Sequence, residues 1–408
     1  MNFMKKILIP LLCVLLTCAM LLSFSGCAAQ EPSKGTEQPT SAPTEKTAEP
    51  EKKTEQPTSK PTEKPTEKPT EKPDQPDILL NKTYDISKDW ENFRLIGRMG
   101  DVNGGVFCDF SASGIEFCGK MEGDVTVALS CDRDTYFTVF VDGERIEERL
   151  YATKDTKKLT ITSFEEAGEH TIRFLKQTEP QWSLCVLQTV SLTGYLDKAP
   201  EKRDYLIEFI GDSITCGYGN LADSSTPNSG TALWEDGTKT YAFLAAETLG
   251  ADATVIGCSG IGIDKGWTSF SEKDFYPKKS YYRSSLTDDY DQSWNVPDLI
   301  VINLGTNDQS RGSTEDQFKK GVRELITYVR DFYGKDIPVV WAYNMMGNGR
   351  FDWTKSVLED MGGESKGLYS VQLVQNGLGG NGHPTLDAQI EAGRQLSQFI
   401  TEKDLLKK

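Results

Sequence analysis

The stretch LIEFIGDSITCGYG, Leu206–Gly219, decides how the C-terminal half of the chain folds. Five residues of strand-like apolar content end abruptly in Gly211-Asp212-Ser213, and glycines return at 217 and 219. A buried strand that stops on a small, tight turn presents one hydroxyl, that of Ser213. Such a serine either caps the next helix or attacks a substrate carbonyl. What stands at the other strand ends chooses between the two.

Downstream, apolar strands alternate with helical stretches: TYAFLAAETL, ATVIG, LIVINLG, a helix from Thr314 to Tyr333, PVVWAY, a short helix near Trp353 to Met361, YSVQLV and a terminal helix. In the long helix Phe318, Val322, Leu325, Ile326, Val329 and Phe332 fall on one stripe. In the terminal helix the expected stripe is Leu386, Ile390, Leu396, Phe399 and Ile400. This alternation predicts a flavodoxin-like parallel sheet covered on both faces, an α/β three-layer domain over residues 203–408.

Ligands of open parallel sheets sit outside the carboxyl ends of the strands. After the first strand comes GDS with Ser213, after the second CSGIG with Gly260, after the third GTND with Asn307, and after the fifth NGLGGNGHPTLD with His383. A hydroxyl, a glycine amide, a side-chain amide and an imidazole therefore converge on one rim. Each suits one task in acyl transfer. Ser213 attacks a carbonyl only if a base takes its proton, and His383 is the one histidine of this domain. The oxyanion of the tetrahedral intermediate needs donors set in advance: the N–H of Ser213, the N–H of Gly260 and the amide of Asn307. SGIG offers Gly262 as the alternative to Gly260. Trp267, just after the second block, and Trp353, after the fourth strand, are aromatic faces on which a sugar ring could stack, with core packing as the bland alternative for each.

Upstream the texture differs. DVTVALS, YFTVFVDG and HTIRFLK alternate apolar and polar residues with Gly or Asp-Gly turns between, which predicts a β-sandwich, jelly-roll-like, over residues 79–198. His170, in EAGEHTIRF, reads as structural.

GDS, a lone glycine in the second block, GTND and a late His before Pro resemble the SGNH (GDSL-type) hydrolases, whose name spells Ser, Gly, Asn and His. The upstream domain, with VDG and HTIRFLKQTE, is similar to the N-terminal jelly-roll domain of the two-domain carbohydrate esterases of family 2. That resemblance covers residues 80–405 and implies a serine esterase that removes O-acetyl groups from polysaccharides of xylan or glucomannan type without a cofactor or a metal. One departure stands out: most SGNH enzymes carry Asp three residues before the histidine, where this chain has Gly380, with Asn381 next. The expectation is a Ser213–His383 dyad, the ring oriented by a backbone carbonyl near residues 380–381, with Asp387 as the weaker candidate. Two other readings stay open, a lipid or thioester hydrolase built on the same four blocks and a surface glycan-binding protein with a degenerate site.

The N-terminus reads as an export signal. Lys5 and Lys6 precede an apolar run from Ile7 to Phe24 and the small pair Ser25-Gly26 before Cys27. This resembles a bacterial lipoprotein signal over residues 1–27, with Cys27 as the lipidated residue, although Phe24 stands where these signals usually carry Leu. Cleavage near Ala28 and plain secretion is the alternative. Residues 28–78 hold ten of the 18 prolines, with PTEK repeated, and lack the apolar content to fold. They read as an extended or flexible linker from an anchor on the cell surface. A formal charge of −16 argues against nucleic acid and anionic lipid headgroups as partners. Six cysteines after Cys27 form no CxxC pair, and with two histidines in the whole chain this argues against a zinc site of common spacing. GLGGNG lies too near the C-terminus for a dinucleotide-binding unit, and no GxSxG stands directly after a predicted strand, as a nucleophile elbow requires. Cys216 reads as a packed small residue, and the enzyme is expected to act as a monomer.

Overall fold

Three strands of the C-terminal domain end flush. In the computed structural model, which describes residues 79–407 apart from 292, 294, 335 and 348, β1 (Leu206–Gly211), β2 (Asp252–Gly257), β3 (Leu299–Asn303), β4 (Val339–Tyr343) and β5 (Leu368–Gln372) form a parallel sheet in the order β2-β1-β3-β4-β5. Gly211 lies beside Gly257 on one side and Asn303 on the other, so the chain leaves all three strands at one level. The signal and linker segments, 1–27 and 28–78, lie outside the described residues.

Among the described residues, seven α-helices belong to this domain: α1 (Ser213–Cys216), α2 (Tyr241–Thr248), α3 (Glu272–Phe275), α4 (Thr306–Ser310), α5 (Glu315–Tyr333), α6 (Phe351–Asp360) and α7 (Leu386–Glu402). Strand residues alternate between two cores. Ile207, Phe209, Val255, Val301 and Val340 pack under α2 and α7, whereas Ile210, Ile256, Ile302 and Trp341 pack under α5 and α6. Both faces being covered explains the continuous apolar strands, since each buried aliphatic side chain contributes about 1.5–3 kcal/mol. The α5 stripe faces its core as expected, and Thr314 caps that helix through Gln317.

The α7 stripe differs from expectation. Ile390 is 51% exposed, and the buried face is Ala388, Gln389, Ala392, Gly393, Leu396, Ser397 and Ile400. Close packing of α7 on α2 is the cause. A Cβ on Gly393 would stand 3.1 Å from Leu244 Cβ and 3.3 Å from the Tyr241 carbonyl oxygen. Gln389, buried, accepts from the Tyr241 N–H at 2.8 Å and donates to the Ile214 carbonyl at 3.0 Å, tying α7 to α2 and α1.

The upstream domain is one ten-stranded antiparallel sheet. Its strands are longer than the sequence suggested. DVTVALS is little more than a third of Gly114–Cys131, and HTIRFLK little more than a third of Lys158–Lys176. These two pair along their length with register shifts at Met121/Gly123 and Val125/Thr126. Such bulges interrupt the alternation that a sequence pattern detects while the pairing continues. Phe137 and Phe174 stack at 4.6 Å within its core. Cys131 and Cys185 are cross-strand neighbours with their sulfurs 3.2 Å apart, and all six described cysteines are thiols. His170 stacks on Phe164 and meets Asp142 at 2.8 Å, a local contact.

The two domains belong to one compact unit. Arg173 makes a two-pronged contact with Glu247 at 2.8 Å for each prong, Arg94 donates to Asp252 at 2.6 Å, and Arg283 clasps Asp109 at 2.6 and 2.7 Å. Paired forks of this kind fix orientation as well as adding energy.

Candidate active site

Ser213 opens α1 directly after the Gly211-Asp212 turn. A Cβ on Gly211 would stand 2.0 Å from Thr215 Oγ1, so no larger residue fits where strand meets helix. Asp212 caps α1 by accepting from the Ile214 N–H at 3.0 Å. As first residue of the helix, Ser213 has no intrahelical partner for its own N–H, and that donor has no acceptor among the described residues.

His383 comes from the far end of the domain. Gly219, with φ of +67°, allows this. A Cβ there would sit 2.6 Å from the Gly380 carbonyl oxygen, and the Gly219 carbonyl instead accepts from the Gly380 N–H at 2.9 Å. The loop is thereby drawn against the α1 turn, and His383 Nε2 lies 2.8 Å from Ser213 Oγ. On the other side of the ring, Nδ1 is 3.3 Å from the carbonyl oxygen of Asn381. A carbonyl only accepts, so Nδ1 carries the proton and the lone pair of Nε2 faces the serine hydroxyl. Asn381 adopts φ of +51° to present this carbonyl, and its side chain is held by Tyr218 Oη at 3.1 Å and Ser229 Oγ at 3.3 Å. Asp387 is exposed at the start of α7, with no hydrogen bond to the ring among the described residues. Burial lowers the affinity of His383 for a proton below the ordinary imidazole value of 6.5, with the carbonyls of Asn381 and Gly380 opposing in part.

The donor side is built by the second and third blocks. Gly260 sits in a left-handed turn at φ of +81°, its carbonyl accepting from the Trp267 N–H at 2.7 Å. Its own N–H has no acceptor among the described residues, and neither has that of Gly262, whose carbonyl accepts from the Glu272 N–H at 3.2 Å. Asn307 is buried in α4, and both amide hydrogens are engaged, one with Asp212 Oδ2 at 3.1 Å and one with the Ile261 carbonyl at 2.8 Å. The expectation of a free side-chain donor is therefore modified: Asn307 reaches an oxyanion only by sharing a hydrogen, and in this geometry it braces the two loops. Asp212 is fully buried, and desolvation raises its pKa to about 7. Neighbouring Asp308 accepts from the N–H groups of Ile263, Asp264 and Lys265 at 2.8–3.0 Å, which stiffens the loop after Gly260.

The two expected aromatic platforms differ. Trp267 is 66% exposed beside Gly260, its indole N–H on Ser310 and the Arg311 guanidinium 4.5 Å from the ring. Trp353 is half-buried on the α6 face against Phe318, with Arg350 over it at 4.0 Å, and packs on the core. Trp341 is wholly buried. Cys216 is buried under Gly257, where desolvation pushes its thiol far above the nucleophilic range.

Sequence reasoning missed the groups around these residues: Asp212 as brace, Tyr218 against the His383 ring at 4.6 Å, and Glu179 of the upstream domain on Ser259. Glu179 ends the HTIRFLKQTE stretch, but nothing local marks it as reaching a loop eighty residues on.

Known proteins match both halves. Residues 207–352 match the GDSL-like lipase/acylhydrolase family, and residues 95–200 match the carbohydrate esterase 2 N-terminal domain. The chain is 30% identical over 350 residues to the cellulase/esterase CelE of Acetivibrio thermocellus, covering 81% of this chain but only 40% of that protein's length. It is 24% identical over 263 residues to an acetylxylan esterase/glucomannan deacetylase of Cellvibrio japonicus, covering 62% of this chain and 69% of that one. Among solved structures, a family two carbohydrate esterase from Clostridium thermocellum in complex with cellohexaose superposes with a TM-score of 0.71 at 27% identity, covering 77% of this chain and 100% of the other.

Proposed function

We propose, since the chain belongs to the family 2 carbohydrate esterases, that it is a serine esterase removing O-acetyl groups from polysaccharides of xylan or glucomannan type through an acetyl-enzyme on Ser213. The observation that carries this is the 2.8 Å approach of His383 Nε2 to Ser213 Oγ, with Nδ1 turned to a carbonyl. In the first step Oγ attacks the acetyl carbonyl while its proton passes to Nε2. The N–H groups of Ser213 and Gly260 receive the developing oxyanion, with Asn307 alongside. Collapse expels the sugar hydroxyl, which takes the proton from His383. Water, deprotonated by the same imidazole, then attacks the acetyl-serine, and collapse releases acetate as the imidazolium returns its proton to Ser213 Oγ. The Asn381 carbonyl takes the place of a third-member carboxylate: it holds the tautomer and accepts the hydrogen of the imidazolium, without a full countercharge.

The exposed face of Trp267 next to Gly260 supports a sugar as the leaving group, since one ring face suits a pyranose better than a long acyl chain. Trp353 would contribute at most from the edge. The enzyme is read as a monomer. The upstream domain is read as a jelly roll over residues 79–198, ahead of the esterase domain at 203–408. Export belongs to the same proposal. The signal over residues 1–27, lipidation at Cys27 and the Pro-rich segment 28–78 would hold the enzyme off a bacterial membrane at the cell surface, with free secretion as the alternative.

The test is acetate release from acetylated xylan and acetylated glucomannan beside a simple triglyceride. Release from a polysaccharide that Ser213→Ala abolishes is expected. Preference for the triglyceride, or activity surviving Ser213→Ala in a folded protein, would overturn the assignment.

A further inference from the structure

Glu179 is fully buried, yet it belongs to the upstream domain, three residues beyond the end of strand Lys158–Lys176. Its carboxylate crosses to the second block of the catalytic domain. Oε2 accepts from the Ser259 backbone N–H at 2.7 Å, and Oε1 accepts from the Ser259 hydroxyl. Gln181 Nε2 donates to Oε1 at 3.0 Å. Ser259 immediately precedes Gly260, so the carboxylate grips the peptide next to the one that bears the Gly260 N–H.

Glu179 is itself held from every side. Its N–H donates to Glu235 Oε1 at 2.6 Å, and the other oxygen of Glu235 accepts from the Trp182 indole at 2.7 Å. Its carbonyl accepts from Lys176 Nζ at 3.3 Å, and that buried ammonium also donates to the Asp109 carbonyl at 2.8 Å. Sealing a carboxylate from water is costly unless its oxygens are satisfied. Plain domain adhesion needs no such group, because Arg173–Glu247 and Arg283–Asp109 already join the two domains. What the carboxylate adds is a two-point hold on one residue of a left-handed turn.

We propose that Glu179 is a positioning residue for the esterase reaction: by fixing Ser259 from the neighbouring domain, it holds the Gly260 N–H where the oxygen of the tetrahedral intermediate will stand. This rests on the esterase reading. Without the hold, the Ser259–Gly260 turn is free to rotate, and a donor that must be placed before reaction becomes one that reorganises during it. Loss of an oxyanion donor typically lowers kcat by about 10²–10³, and loosening one should fall below that range. Ground-state binding of the sugar does not use this donor.

In the full-length protein, Glu179→Ala is expected to lower kcat for 4-nitrophenyl acetate about 10- to 100-fold with KM within about twofold. It should weaken inhibition by methylboronic acid, whose tetrahedral adduct on Ser213 uses the same donors, by a similar factor. Glu179→Gln keeps an acceptor for the Ser259 N–H and should recover kcat to within about fivefold of the natural protein. Unchanged kcat and boronate affinity in Glu179→Ala, or a loss confined to KM, would overturn the role. Where Glu179→Ala fails to fold, Ser259→Ala, which removes the hydroxyl point of the hold, carries the test: a several-fold lower kcat is expected, and natural kcat there would equally overturn the role. Ser213→Ala in the same assay separates the claims: activity surviving there removes the esterase reading, whereas activity lost there but intact in the Glu179 variants removes only this inference.

Discussion

In the parallel sheet, Gly211, Gly257 and Asn303 stop side by side, and the blocks carrying Ser213, Gly260 and Asn307 leave from just beyond them. In the antiparallel sheet the long strand Lys158–Lys176 runs through the wall of the domain, and the segment 176–182 after it does the reaching. The first region holds Ser213 and His383, the proposed nucleophile and base, within a single domain, joined by a 2.8 Å contact. The second supplies no reacting group, but it grips Ser259 through Glu179 and places Trp182 6.1 Å from Tyr218, which in turn lies against His383. Chemistry and its alignment are thus divided between domains. Parallel strands converge their loops at one edge, whereas a continuous antiparallel wall is stiff and suited to bracing.

That division can be broken at several points. The largest effect is expected at Ser213→Ala, which should lower acetate release by at least about 10⁴-fold while leaving the circular dichroism spectrum intact. Next is acidity. His383 must be neutral to accept the serine proton, and burial lowers its pKa from 6.5. As pH falls through that lowered value the base becomes protonated, so the acid limb of kcat/KM should have its midpoint below 6.5 and drop about tenfold per pH unit beyond it. A limb centred above 6.5 would mean that a carboxylate supports the ring after all.

The opposite behaviour is expected far from the rim. Arg173→Ala removes both prongs on Glu247 and its packing over Phe140, and should lower unfolding stability by about 2 kcal/mol with kcat unchanged. Chemical denaturation beside the esterase assay measures both. A fall in kcat would show that bracing spreads over the whole domain interface instead of passing through the Glu179 segment. The smallest effect is expected at Asp387→Asn, within about twofold in kcat, because the Asn381 carbonyl and not this exposed carboxylate faces Nδ1. A loss rivalling that of Ser213→Ala would sink the dyad.

Much of this was legible in the linear chain. The switch from period-two alternation to strand–helix alternation near residue 203 separates the two textures, and each β-to-α transition puts its polar block at a strand's carboxyl end. Local composition dictates such features because apolar periodicity and Gly-containing turns act over a few residues. Even the absence of a carboxylate before His383 could be read, since it depends on Gly380 and Asn381 alone. Where long strands bend, or where a helix packs closely, the pattern misled. The bulges in Gly114–Cys131 hid its length, and α7 buries alanine, glycine and glutamine while turning Ile390 to solvent.

The order of the blocks, the pairing of one serine with one imidazole and the acid-poor histidine loop were written in the sequence itself, because each is a matter of which residue follows which. Tertiary structure alone decided which carbonyl orients the ring, that both hydrogens of Asn307 are occupied, and that Glu179 crosses from another domain to hold Ser259. The first is local, but the other two depend on distant segments: Glu179 meets Ser259, 80 positions on, and Asn307 meets Asp212, 95 positions back. The physical reason is that a hydrogen bond is set by distance in space, and no periodicity along the chain encodes which distant loop will close on a given side chain.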